Sequence, residues 1–586
     1  MNPTIKCVSR TALLIASLLA GTGILAAADD ADVGASSSAM PAVSQVVTQD
    51  DQIARLKAAL AEQQKQIEAL QQSIAAEQAL LERATGASAS ATRSNFAGIG
   101  QVASTTPLIP SIAPLPVAAA RPVALPQAAP AAASKNPCEA APDANAVPSY
   151  LRLGSVCIAP VGFMDLTAFW RDKAAATGTL GSNFGSVPYN NVPGGNLSEY
   201  HFSVQNSRIG FRVDGDWKGT HFIGYNEFDF NGTSGATNMA VTNGAIVPRL
   251  RLFWIDARKS SIEFLGGQSW SMLTPNRKGL SALPGDLFYS QVIDINYIAG
   301  LTWTRQPGVR ILFHGPKDKI NFGLSVEQGD QYIGGSGGGG AVTLPAALAG
   351  LAGTQVDQAQ NISLPGGYLN QPVLAPDFIA KLAFDPSSRF HLEIGGIVSS
   401  FKTAALAAPW THHSTTGAGL TFGVNVGLTK NLRWMASGMY SDGEGRYLFG
   451  AGPDFVVRAD GSLSAVHADS YITGFEQTVR NILLYGYFSG DYFGRNVALD
   501  ANGTSPIGYG YKGSPNSQNR SINEITFGFN QTLWKNPRYG AINLMGQYEW
   551  LERAPWFVAP GAPKGTHDNT VYINLRYTLP GSMPNF

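Results

Sequence analysis

Charge is scarce in this chain of 586 residues: 14% of the side chains are charged, and 41 Lys and Arg exactly offset 41 Asp and Glu. Without a positive excess, a basic nucleic-acid binder is excluded. Cysteine is nearly missing, with three in the chain, and among them there is no zinc-ligand spacing. Histidine is sparse too. The eight His are scattered, His412 and His413 form the one close pair, and neither an HExxH motif nor a Gly-Lys dipeptide occurs. That removes the zinc-protease signature and the phosphate-binding P-loop. Gly334-Gly335-Ser336-Gly337-Gly338 formally matches a nucleophile elbow, but it lies in a glycine run without the strand-to-helix context that motif needs. No catalytic constellation and no cofactor motif is therefore present, and the chain is not expected to be an enzyme. Beyond residue 26 there is also no long apolar run, so no helical membrane span is expected.

Glycine (65 residues) and aromatics (58) are abundant, and the aromatics are unevenly placed: Phe96 and Tyr150 are the two that precede residue 160. The chain thus divides into two materials. Lys6 and Arg10 precede an apolar run from Thr11 to Ala26 that ends in Ala26-Ala27-Ala28, the layout of a secretory signal peptide over 1–28. Its removal leaves 39 basic against 41 acidic residues, a net charge of −2. In 29–85, Val46, Ile53, Leu56, Leu60, Ile67, Leu70, Ile74 and Leu81 trace a heptad seam when Gln49, Gln63 and Glu77 are counted as polar members. A seam this narrow buries itself against copies of itself, so a coiled-coil oligomerisation helix is predicted. Residues 86–160, with ten Pro between 101 and 150, read as an extended Pro/Ala-rich linker. Cys138 and Cys157 flank its end, and in an exported protein a disulfide between them is the default expectation.

From 161 to 586 apolar side chains occupy every second position in segments of roughly ten residues. Val571, Ile573 and Leu575 alternate with Tyr572, Asn574 and Arg576; Ile320, Phe322, Leu324 and Val326 alternate with Asn321, Gly323, Ser325 and Glu327. Short turns such as Asp214-Gly215-Asp216, Pro316 to Lys319, Asp385 to Ser388 and Lys535 to Arg538 alternate with long stretches. The latter fall at 171–199, 231–247, 272–300, 329–376, 400–416, 441–470, 489–519 and 552–566. Short turns at one end and long loops at the other predict an all-β fold, a transmembrane antiparallel β-barrel of about 16 strands. No turn signal is visible near Thr478 to Asn481, which leaves the count between about 14 and 18. So wide a barrel is expected to hold water.

The alternation also sorts charges. It turns Arg208, Arg212, Arg249, Arg251 and Arg310 toward the lumen, with Lys381, Arg433 and Arg576, and places Leu250, Leu252 and Trp254 toward lipid. The acids Glu227, Asp229, Glu327, Glu393, Glu524 and Glu549 share the inward parity. Two readings stand side by side. Inward charges pair and solvate the wall, or the arginines form a ladder that lowers the energy of anions, with Glu227 and Asp229 facing them across a constriction. The stretch 272–300, carrying Arg277, Lys278, Asp286 and Asp294, either folds into the lumen as a constriction loop or stands outside. Arg305 is left unassigned because Pro307 and Gly308 interrupt the pattern beside it.

The order of signal peptide, coiled coil, Pro/Ala spacer and barrel carries four further motifs. They are Ser207-Arg208-Ile209-Gly210-Phe211-Arg212, then Arg249-Leu250-Arg251, then Gly267-Gln268-Ser269-Trp270-Ser271, then Arg305 to Arg310. With these the chain resembles the DcaP-like outer-membrane porins of Gram-negative bacteria. The resemblance implies a homotrimer of sixteen-stranded barrels, a periplasmic N-terminal coiled coil able to reach peptidoglycan or periplasmic partners, and diffusion of small anionic solutes such as dicarboxylates. Arg208, Arg212, Arg249, Arg251 and Arg310 are the solute-path residues it points to. A phosphate- or oxyanion-selective porin is the alternative, and an outer-membrane barrel enzyme a more distant one.

Overall fold

The computed structural model describes residues 150–580 apart from 175–179, 233–246, 289–290, 336–338, 350–354, 357–372, 405–407 and 537–538. The expected signal peptide, the coiled coil, most of the linker with Cys138, and Ser336 lie outside the described residues.

Sixteen strands follow one another around a barrel: β1 (Val156–Arg171), β2 (Glu199–Ser203 continued by Arg208–Trp217), β3 (Thr220–Gly232), β4 (Val247–Lys259), β5 (Ile262–Trp270), β6 (Arg305–His314), β7 (Ile320–Glu327), β8 (Asp377–Ser387), β9 (Phe390–Ala404), β10 (His412–Gly427), β11 (Leu432–Asp442), β12 (His467–Val479), β13 (Ile482–Phe493), β14 (Asn519–Asn536), β15 (Gly540–Pro555) and β16 (Thr566–Thr578). Each pairs antiparallel with its neighbour in the chain, and β16 returns to β1 from Thr578↔Phe163 to Thr570↔Arg171. Both segments of β2 lie on the same side of β1, which makes them one strand interrupted at 204–207. Closure leaves no open edge, so every wall strand has its ladder satisfied on both sides.

Period-two alternation is the cause of this geometry. On β7, Ile320, Phe322 and Leu324 point outward and are 50%, 39% and 44% exposed, while Asn321, Ser325 and Glu327 point inward and are buried. The same belt of Leu, Ile, Phe and Val runs around the outside of the other strands. Monomeric soluble proteins rarely present so extended an apolar surface to water, and such surfaces mark contact with a membrane or a partner.

Seven tight turns at one end join the strands. At Lys218-Gly219, Ser260-Ser261 and Arg480-Asn481 the leading residue takes a left-handed φ of 49°, 56° and 56°. Hairpin turns of two residues require this conformation, because it matches the twist of the flanking strands. Asp214 to Asp216 is not a turn, as expected above, but part of β2; the chain reverses four residues after Asp214, at Lys218. The turn without a sequence signal is at Arg480-Asn481, where an arginine does what glycine usually does.

Eight long connections leave the opposite end, at 172–198, 233–246, 271–304, 328–376, 405–411, 443–466, 494–518 and 556–565. Among the described residues of five of them, Phe184, Leu273, Ile333, Tyr447, Phe455 and Tyr509 pack together at 0% exposure. Here the expectation of an open, water-filled lumen needs correction, because this half of the barrel is filled by loops with an apolar core of their own. Toward the short-turn end, inward side chains such as Arg212, Arg433, Asn530, Asn543 and Arg576 remain half-buried and in reach of solvent.

Candidate functional site

The site begins with a break in the alternation. Glu227 of β3 faces Leu252 of β4, whereas the next residue, Phe228, faces Leu250, so Arg251 is an extra residue in a β-bulge. The carbonyl freed by the bulge accepts a hydrogen bond from Gln268 Nε2 at 3.0 Å. Beyond the bulge the parity of β4 is reversed: Leu252 and Trp254 turn inward at 0% and 4% exposure, and Phe253 and Ile255 face outward at 60% and 57%. The expectation that Leu252 and Trp254 face lipid is thus corrected, although Arg249 and Arg251 do point inward. Gly267 on β5 lies against the same stretch. With φ at +132° and Phe253 O only 2.4 Å from where a Cβ would sit, the position has no room for another residue.

Arg251 is the centre of the cluster. Its Nε donates to Glu227 at 2.8 Å, Nη1 to Asp229 at 2.6 Å and Nη2 to the Tyr297 hydroxyl at 2.6 Å. Arg249 grips Asp229 through two bonds of 3.0 and 2.7 Å, and Arg208 reaches Tyr297 at 3.3 Å and lies 3.6 Å from Glu227. Glu227 and Asp229 therefore sit beside the arginines and do not face them across a gap, so no transverse field arises from these groups. Side-chain exposure is 2% for Arg251, 8% for Arg208 and 38% for Arg249, which singles out Arg249 as the guanidinium of the three most open to solvent.

Two of the other expected arginines stand elsewhere. Arg212 forms a forked pair with Asp214 at 2.8 and 2.7 Å, nearer the short-turn end. Arg310 is buried at 5% exposure, bonded to Ser269 Oγ and the Trp270 carbonyl, and lines no open path.

The connection 271–304 does cross the lumen, and wall acids hold it there. Met272 N donates to Glu327 at 2.8 Å, Asn276 N to Glu393 at 3.1 Å, Ala299 N to Glu524 at 2.8 Å and Gly300 N to Asp491 at 3.2 Å. Lys381 Nζ donates to Thr274 O at 2.8 Å, and Ile293 N to Gln547 at 2.7 Å. The inward acids of β7, β9, β13 and β14 thus serve as acceptors for loop backbone that would otherwise lose its water. Arg277 is pinned to Glu476 on β12 by bonds of 2.9 and 2.8 Å. Asp294 is buried, accepting from Ser182 N at 2.7 Å and the Tyr572 hydroxyl at 3.2 Å. Of the four expected loop charges, Lys278 is exposed, Arg277 and Asp286 are half-buried and Asp294 is buried.

Arg305, which the sequence pattern leaves unplaced, joins the same cluster. Its guanidinium lies 5.6 Å from the centre of the Trp270 ring and 5.2 Å from that of Trp303. Trp270 is also 5.9 Å from the guanidinium of Arg251 and 5.4 Å from the Tyr297 ring. Trp303 packs on Tyr297 at 5.5 Å and on Phe449 at 5.9 Å. Tryptophan flanking an arginine at 303–305 is the one signal that could have found it. Among the described residues, no group of three His, Cys, Asp or Glu is arranged to hold a metal ion. Cys157, at the start of β1, is fully buried and disulfide-bonded.

No family model matches the chain, and no curated relative matches it. Among solved structures, the outer membrane channel DcaP of Acinetobacter baumannii aligns over 73% of this chain and 98% of its own, with a TM-score of 0.52 at 16% identity. An anion-selective porin from Comamonas acidovorans aligns over 72% and 99% with a TM-score of 0.39 at 12% identity. Salmonella typhi OmpF in complex with daunomycin aligns over 73% and 99% with a TM-score of 0.40 at 9% identity. The first of these likenesses shows a shared fold, so the resemblance carried by the sequence motifs extends to the architecture of the barrel.

Proposed function

We propose that this chain is a DcaP-like outer-membrane porin through which small solutes, anions in preference, diffuse past a constriction built by 271–304 and the Arg208–Arg249–Arg251–Arg305 cluster. The apolar belt of the closed barrel supports the membrane setting, with the long loops outward and the short turns toward the periplasm. The observation that carries the anion preference is a charge count. Four guanidiniums (Arg208, Arg249, Arg251, Arg305) surround two carboxylates (Glu227, Asp229), an excess of +2 beside the loop that narrows the lumen. Fixed positive charge in a low-dielectric constriction attracts anions and repels cations.

In the same reading the N-terminal seam joins three copies in the periplasm, Cys138 pairs with Cys157 at the junction, and the solutes are dicarboxylate-like. Arginine favours carboxylates by offering two parallel donors, which a lysine cannot. Purified protein in a planar bilayer under a salt gradient is expected to give a reversal potential of anion-selective sign, with deeper current block by succinate than by phosphate. A cation-selective reversal potential would overturn the reading, and stronger block by phosphate would move the solute class to oxyanions.

A further inference from the structure

Buried hydrogen-bond donors in folded proteins nearly always have acceptors, and those without one call for an explanation. At the entry to β6, the indole Nε1 of Trp303 and Nη1 of Arg305 are both buried and neither has a hydrogen-bond partner. Thr304 Oγ1 between them is a third such donor, but it is Trp303 and Arg305 whose groups are in contact, at 5.2 Å from guanidinium to ring centre. Cation and donors occur here without an acceptor of opposite charge, and the two carboxylates nearby are already engaged by Arg249 and Arg251.

The rings of Trp270 and Trp303, whose centres are 5.5 Å apart, both lie beside the Arg305 guanidinium, and Nη1 on its N–H edge is left without a protein acceptor. A planar edge of donors suits a carboxylate or another oxyanion. We propose that Arg305 Nη1 and Trp303 Nε1 form a seat for one carboxylate or oxyanion group of the permeating solute, entered past the half-exposed Arg249. The seat rests on the porin reading above and deepens it, because it names the residues at which a passing anion pauses. An anion there also offsets the +2 excess of the cluster, which a water molecule does not.

The test uses the full-length protein in detergent, titrated calorimetrically with sodium succinate and separately with sodium phosphate, and the same preparations in planar bilayers. Arg305→Lys keeps the charge and loses the planar edge; Trp303→Phe keeps a ring and loses the N–H. Relative to wild type, Arg305→Lys is expected to weaken succinate binding at least tenfold and Trp303→Phe several-fold. The ratio of succinate to phosphate affinity in wild type assigns the seat to carboxylates or to phosphate-like oxyanions. Wild-type affinity that neither substitution alters, or no affinity for either anion in a conducting protein, overturns the seat and leaves the porin reading in place. Anion binding that both substitutions weaken in a protein that passes no current keeps the seat and removes the porin reading. Should Arg305→Lys fail to fold, Trp303→Phe decides alone.

Discussion

Arg249 and Arg251 are two residues apart and share an inward direction, yet they do different work. Arg251 neutralises and ties together Glu227, Asp229 and Tyr297 in a place closed to water, so Arg251→Met takes from the buried Glu227 its nearest cation and leaves Asp229 to Arg249 alone. Breaking such a group by removing one member costs roughly 3–5 kcal/mol, and the expected outcome is a clear loss of resistance to thermal unfolding in detergent. Arg249 is 38% exposed, and its pair with Asp229 is worth much less to folding for that reason. Arg249→Ala is expected to leave unfolding nearly unchanged and to shift the reversal potential toward lower anion preference. If the two substitutions behave alike in both measurements, the two arginines do not divide the labour in this way. Parity alone made the inward direction of these residues legible. It could not reveal the bulge at Arg251, since an added residue in one strand is defined by its partner strand, and so Leu252 and Trp254 were placed on the wrong face. Arg305 escaped for a related reason: its place depends on two rings, one of which is 35 positions away in the chain.

At the scale of elements, the connection 443–466 carries a cluster whose charge is unbalanced. Glu444 and Asp454 are fully buried, Glu444 bonding Ser399 at 3.1 Å and Asp454 accepting from Arg446 N at 2.9 Å. Asp377 is taken by the Arg446 guanidinium and the Tyr447 hydroxyl. Burial, reinforced by the charges of Asp377 and Asp454, holds the Glu444 carboxyl well above the ordinary carboxylate range. Burial likewise raises Asp454, against the opposing pull of Arg446. A carboxyl whose folded-state value is raised binds its proton more tightly folded than unfolded, so its contribution to stability falls as pH climbs from about 4, the unfolded value, toward the folded one. The docked loop is therefore expected to loosen with rising pH, read as faster proteolytic cleavage within 443–466 at pH 8 than at pH 5. Glu444→Gln should flatten that dependence, and a cleavage rate that rises on acidification would refute it. The strands themselves were legible from alternation and the long connections from composition. The turns were less so, because a left-handed lysine, serine or arginine at the leading position of a two-residue hairpin has no marker in a single sequence.

For the whole molecule, the barrel and its sixteen-strand order follow from period two and from the unequal connectors, and little else is needed to predict them. What fills the barrel was not visible, because the loop contacts span hundreds of residues and carry no periodicity. Glu327, Glu393 and Glu524 looked like pore charges and turned out to be acceptors for loop backbone. Removal of 276–298 is expected to leave a barrel that still resists unfolding by heat in detergent and to raise single-channel conductance several-fold, at the expense of anion preference. An unchanged conductance would mean that ions follow a route other than the one narrowed by this loop.

The partners that hold 271–304 in place come late in synthesis: Glu476, Asp491, Glu524, Gln547 and Tyr572 follow it by up to 278 positions. Contacts so distant in the chain form after nearer ones. A barrel still lacking its last strands thus has no anchor on that side for the loop, and the narrow passage is the final part to take shape. On the proposed porin reading, the polypeptide becomes discriminating only when the wall is complete, so an unfinished barrel in the bilayer would leak without choosing.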